Sequence, residues 1–157
     1  MNKTIRYLGR TVNLNIQFDD TVKKPIITEH DNTLTMVTDS DDGSKILEAI
    51  QVYYQRRLKK MIEAFVKQYQ PNFKVKARKV SVKSSYTKWG SCNSERDLMF
   101  NWQLMIAPEG VIEYVVVHEM CHMVHMNHDR SFWRLVGKLM PDYKKHEDWL
   151  KFNHQEV

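Results

Sequence analysis

Cysteine is scarce in this chain: among 157 residues there are two, Cys92 and Cys121. Two thiols cannot build a disulfide framework, so a hydrophobic core must hold the fold. Neither belongs to a C-x-x-C pair, which leaves no thiol-based metal or redox motif. Long apolar runs are also lacking, and no stretch approaches a membrane span. The opening residues, Met1 to Arg6, contain no apolar signal core. These absences point to a cytoplasmic protein with no membrane partner, and the nine methionines suit a reducing compartment. Internal repeats, low-complexity segments and linkers are missing too. One domain over 1–157 is therefore expected, with strands in 1–42 and the main body in 43–157.

What is present orders itself as strands, a long helix, strands and then helices. Residues 4–18 alternate apolar and polar positions on either side of a turn at Gly9-Arg10, which predicts a hairpin. Pro25 to Ile27 and Leu34 to Val37 form a weaker strand pair around a turn from Glu29 to Thr33. The acidic loop Asp39 to Ser44 lacks the later Glu of an EF-hand and is better suited to capping a helix. That helix carries Leu47, Ile50, Tyr54, Leu58, Met61, Phe65 and Tyr69 on one stripe and ends at Pro71. Residues 73–83 look like a strand with a bulge near Arg78-Lys79. Leu98 to Ile106 reads as another, and Pro108 suits the first turn of the next helix. Gly90 suits either a bulge or a close backbone approach.

The chemistry lies in Val115 to His128, which contains His118-Glu119-x-x-His122, an H-E-x-x-H pattern. Residues four apart share one face of a helix, about 6 Å apart along its axis, so both imidazoles can reach one Zn²⁺. Glu119 follows roughly 100° round the helix and lies beside the metal. A carboxylate there can take a proton from the attacking water as it adds to a carbonyl. A third ligand is needed, and there are two candidates. His125 continues the same face, but a straight helix would put it about 10 Å from His118. His128 follows Asn127, a residue that commonly ends helices, and a reversal there would return His128 to the metal. His118, His122 and His128 are thus the favoured ligands, with His125 a substrate or second-sphere contact. After His128, Asp129 can cap a helix bearing Phe132, Trp133, Val136 and Leu139, and Tyr143, His146, Trp149 and Leu150 follow.

With these residues in view, the chain resembles the YgjP-like predicted metallopeptidases. The matching elements are Lys88-Trp89-Gly90-Ser91-Cys92, Leu98 to Leu104 with Asn101-Trp102, Ala107-Pro108, Tyr114 to Glu119, His122, Met126-Asn127-His128 and Phe132-Trp133. The likeness is dense over residues 85–150. It implies an α+β, zincin-like fold with small antiparallel sheets, a long helix, an H-E-x-x-H helix and C-terminal helices. It also implies Zn²⁺ as cofactor, His118, His122 and His128 as ligands, and Glu119 as the catalytic residue.

A zinc-dependent metallopeptidase acting on a protein or peptide substrate is therefore expected. His125, Tyr86 and Asn101 are candidates to steady the oxyanion, and Trp89 is a candidate substrate contact beside the metal. The wider kin include SprT-like and Spartan-like peptidases, which act on proteins attached to DNA. That gives a possible nucleic-acid meaning to the net charge of +5, to Arg56, Arg57, Lys59 and Lys60, and to the run from Lys74 to Lys88. Hydrolysis of a non-peptide amide is the remaining alternative.

Overall fold

The structure is a computed structural model that describes residues 2–83 and 87–153. Among these residues it is an α+β fold of two small sheets and four helices. The N-terminal sheet contains β1 (Asn2–Tyr7), β2 (Arg10–Phe18), β3 (Ile26–His30) and β4 (Thr33–Thr38). The β1–β2 turn is Leu8-Gly9 rather than Gly9-Arg10, with φ of 50° and 80°. Two successive positive φ values match the right-handed twist of a hairpin, and glycine takes such a value without strain. A side chain at residue 9 would also strike Pro108, with Cγ 2.8 Å from an added Cβ.

The strand order is β1-β2-β4-β3, and β2 pairs with β4 in parallel. The expectation of purely antiparallel sheets is corrected here. The seven-residue loop 19–25 is long enough to cross two strand spacings of about 4.8 Å each. The β3–β4 hairpin therefore turns back with β4 inserted next to β2, and β3 becomes the outer edge.

Alternation then decides the buried face. Val12, Leu14, Ile16, Leu34 and Met36 point inward against α1 (Gly43–Tyr69). Asp42 caps α1 by accepting from the Ser44 amide at 3.0 Å. Its buried stripe is Ile46, Tyr54, Leu58, Ile62 and Tyr69, so Leu47 is solvent-facing where the periodicity had placed it inside. The Tyr69 hydroxyl donates to Glu113 and ties the end of α1 to the helix that follows.

Residues 73–78 do not form a strand. The Gln70 side chain donates to the Val75 carbonyl at 2.7 Å and accepts from the Ala77 amide at 3.2 Å, which removes those groups from any ladder. The second sheet therefore begins at β5 (Lys79–Lys83) and includes β6 (Gly90–Cys92) and β7 (Asp97–Asn101) in the order β5-β7-β6. The β5–β7 pairing is again parallel. β7 stops at Asn101, short of the expected Ile106. The Asn101 carboxamide accepts from the Gln103 amide at 3.0 Å and starts a 3-10 turn over Trp102–Ile106.

That turn receives the first hairpin: the amides of Leu8 and Gly9 donate to Met105 and Ile106, both at 2.8 Å. It also delivers the chain to α2 (Glu109–Cys121), entered from Pro108. Val111, Ile112, Tyr114 to Val117, Met120 and Cys121 are all buried, so α2 is the central helix of one continuous core. α3 (Arg130–Leu139) and α4 (Tyr143–Phe152) complete the fold. No helix among the described residues is long and apolar enough to cross a membrane.

Arg78 grips Asp97 with two hydrogen bonds, of 2.8 and 2.6 Å, where β5 meets β7. Arg78, and then Asn93, hold the Asp97 carboxyl down at about 2. A depressed carboxyl stabilises the fold above its unfolded value of about 3.9 and ceases to do so as pH falls through the folded one. Melting temperature should therefore drop between about pH 4 and pH 2, and Asp97→Asn should flatten that part of the profile. An unchanged profile in the variant would show that this pair contributes nothing.

Candidate active site

The site is built where α2 stops. Helical hydrogen bonding shortens at its end: the amides of Met123 and Val124 reach Met120 and Cys121, three residues back, at 2.9 and 3.1 Å. The last helical residue is Cys121, so the helix ends several residues before Asn127, where the sequence had placed the reversal. The cause is visible in His122. Its Nδ1 lies 3.0 Å from the carbonyl oxygen of His125 and closes the turn from inside. A carbonyl can only accept, so this Nδ1 carries the proton and Nε2 keeps a lone pair.

The tight turn brings His128 back over the helix. Its Nε2 lies 3.0 Å from Nε2 of His122 and 3.3 Å from Nε2 of His118. The three nitrogens lie within 4.8 Å of one another. His125 gives its carbonyl to this arrangement, and its ring is not part of the cluster.

Each ring is fixed from behind. Nδ1 of His118 lies 3.1 Å from the hydroxyl of Tyr114, one helical turn earlier, and that ring stacks on Tyr143 and His146. His146 is therefore packed against the site's support rather than being a surface histidine. Phe132, fully buried, touches all three imidazoles with centroid distances of 5.0, 4.4 and 5.0 Å. Trp133 stacks on His128 at 5.9 Å. Both aromatics are placed by Asp129, which caps α3 through the Phe132 amide at 3.0 Å. Both bear directly on the imidazoles. Sequence reasoning missed the tyrosine, although Tyr114 lies four residues before His118 and thus on the same face.

These donors suit a cation. Three ring nitrogens converge, and a single proton on His128 can satisfy only one of the facing lone pairs. Two ligands at 2.0–2.1 Å in tetrahedral directions are separated by roughly 3.3–3.4 Å, close to the spacings seen. Burial, followed by repulsion from His122 and His128, pushes His118 down to about 3, and burial lowers His122 as well. Neutral imidazoles are the form that ligates. An all-imidazole set suits zinc, copper, iron or nickel.

Glu119 is 6% exposed, and burial pushes its carboxyl up to about 8, with Lys88 pulling the other way. Strand β6 presses on it: a Cβ at residue 90 would meet Glu119 Cγ at 3.1 Å and Oε2 at 3.3 Å. Glycine at position 90 is what allows this approach. Beside them opens a cleft of about 590 Å³, lined by Trp89, Gly90, Tyr114, Val115, His118 and Glu119, with Leu150 and Glu147 of α4 opposite. Trp89 is therefore at the cleft, and its buried Nε1 has no partner among the described residues. Asn101 does not line this cleft; its backbone amide donates to the Trp89 carbonyl at 3.0 Å, and its carboxamide oxygen caps the 3-10 turn. Tyr86 lies outside the described residues. Burial raises the thiols of Cys92 and Cys121 to about 11 and 12, so neither is a thiolate near neutral pH.

Residues 1–153 match the family described as YgjP-like, metallopeptidase domain. The chain belongs to that family. The match includes the N-terminal strands, so this YgjP-like domain reaches well beyond the 85–150 core of the resemblance. Among solved structures it is similar to the metallopeptidase zymogen of Pyrococcus abyssi abylysin, at 20% identity and a TM-score of 0.50. That similarity covers 62% of this chain and 95% of the other, and at such identity it shows the fold alone. No curated protein matches. As a YgjP-like metallopeptidase, the chain is a hydrolase.

Removing only the tyrosine hydroxyl should loosen the ring it orients. Tyr114→Phe should weaken the affinity for an ion held by the three histidines by about 10- to 100-fold, measured by chelator competition. Equal affinity in the variant would make the contact incidental.

Proposed function

We propose that His118, His122 and His128 hold a zinc ion and that Glu119 moves the proton in peptide-bond hydrolysis. The observation that carries this is the meeting of three Nε2 atoms beside a buried carboxylate. When bound, the ion supplies Lewis acidity, polarising the scissile carbonyl and acidifying the attacking water.

The remaining work belongs to side chains and backbone. A carboxylate oxygen of Glu119 accepts the proton of the attacking water and returns it to the departing amine. Its burial raises its affinity for that proton, which a relay needs near neutral pH. Among the described residues β6 is one of the two edge strands of its sheet, since the order is β5-β7-β6. Its outer backbone groups can pair with an extended substrate that passes Glu119 at Gly90. Trp89, Tyr114, Val115 and Leu150 then line a pocket for an apolar side chain next to the scissile bond.

Peptide is the substrate class that fits an edge strand beside the site. Arg78, part of the Lys74 to Lys88 run raised as a nucleic-acid contact, pairs with Glu95 and Asp97 instead, and we assign that run no nucleic-acid role. A cytoplasmic setting suits the two free thiols, Cys92 and Cys121.

The test separates metal from proton transfer. Glu119→Gln should retain the wild-type metal content while peptide turnover falls by about 10²- to 10⁴-fold. Unchanged turnover would remove Glu119 from the mechanism. Loss of the metal would show instead that Glu119 supports the ligands.

A further inference from the structure

The three imidazoles are directed by three different devices. His122 is fastened by its own loop, through the carbonyl of His125. His118 is directed by its hydrogen bond with Tyr114. His128 belongs to neither α2 nor α3, and its Nδ1 has no partner among the described residues. Its ring is therefore directed by what it packs on, Phe132 and Trp133. Tyr114 and Trp133 stand on different helices, so the angle between His118 and His128 depends on how those two supports are set relative to each other.

One residue of α4 touches both supports. The Tyr143 ring stacks on Trp133 with centroids 5.4 Å apart and planes 22° from parallel, and on Tyr114 at 6.3 Å and 15°. Offset stacking at such distances is attractive and depends on orientation. Gly137 follows Trp133 by four residues and shares its face of α3, and a Cβ there would stand 3.6 Å from Cε1 of Tyr143. The backbone holds the ring in this place. Tyr143 opens α4, its amide donates to the carbonyl of the buried Met140 at 3.1 Å, and only Pro141 and Asp142 lie between them. The hydroxyl has no partner among the described residues, so the contacts are made by the ring alone. Filling space would not require a flat ring, since an aliphatic side chain does that as well. A ring nearly parallel to two others, each bearing on a different imidazole, is a more specific arrangement.

We propose that Tyr143 is a positioning residue for the histidine site: its ring, stacked on both Tyr114 and Trp133, sets His118 and His128 at the angle from which both can face one ion. Tyr143 touches neither ring itself and acts through the two aromatics. Without it each support loses one face and can tilt independently, and the two ligands lose their common alignment. The inference rests on the reading that these histidines hold an ion, and it adds α4 to the elements that prepare the site for one.

The experiment measures zinc affinity of the full chain by chelator competition, and ligand geometry by the visible absorption of the cobalt-loaded protein. Tyr143→Phe keeps the ring and should match wild type in both. Tyr143→Leu and Tyr143→Met keep apolar bulk without a ring, and each should weaken zinc affinity at least about tenfold and alter the cobalt spectrum. In a Tyr114→Phe background the loss caused by Tyr143→Leu should be smaller than in wild type, because one of its two routes is already cut. Ile50→Ala serves as a control in α1, which bears no residue of the site; it should lower the melting temperature of the metal-free protein and leave zinc affinity unchanged. Wild-type affinity and spectrum in both the Leu and Met variants would overturn the proposal. So would an affinity loss in Tyr143→Phe equal to that in Tyr143→Leu, or one in Ile50→Ala equal to it. Failure of the wild type itself to bind zinc would instead sink the histidine site, and this inference with it.

Discussion

Everything at the candidate site depends on where one helix is made to stop. An uninterrupted α2 would carry residue 125 along the face of His118 and His122 and send residue 128 away from both. Instead the backbone tightens after Cys121, and the His122 ring fastens itself to the carbonyl of His125. One hydrogen bond thus closes the turn and fixes the tautomer that leaves Nε2 free. The ring of His122 is also the clasp of the loop that brings His128 back to the other two imidazoles.

The rest of the molecule holds that arrangement still. α2 is buried on nearly every side, so the backbone beneath His118 and Glu119 cannot easily shift. Tyr114 and Phe132 fix the imidazoles from below and from α3, and the capping of α3 by Asp129 fixes Phe132. Gly90 lets an edge strand lie against Glu119, bringing the proposed substrate track and the proposed proton acceptor into contact without an intervening side chain. Desolvation of the carboxylate is the consequence. It is costly for stability and useful for a group that must take up and release a proton.

Much of this was legible in the residues. The four-residue spacing of His118 and His122 needs only helical geometry, and Asp129 and the acidic loop from Asp39 to Ser44 announced the caps made there. The N-terminal hairpin and the long helix followed from alternation and from a 3.6-residue stripe. What escaped was set by partners distant in sequence or by side chains that bind backbone. Gln70 holds residues 75–77 out of a strand, and Asn101 turns a strand into a 3-10 helix; an amide side chain has no periodicity to reveal that. The parallel pairing of β2 with β4 depends on what a seven-residue loop can span. Leu47 and Ile46 are adjacent, and a one-residue rotation of the stripe decides which is buried. The helix end at Cys121 was misplaced because the eye goes to Asn127, whereas the stop is made by a histidine reaching forward to a carbonyl.

The central claim is that three imidazole nitrogens, and no sulfur, surround the ion. X-ray absorption at the zinc edge of the zinc-loaded protein reads this directly. The account predicts a first shell of nitrogen or oxygen scatterers at about 2.0–2.1 Å, with the outer-shell pattern of about three imidazoles. A sulfur shell near 2.3 Å, drawing on Cys92 or Cys121, or a pattern fitted by one imidazole, would contradict it.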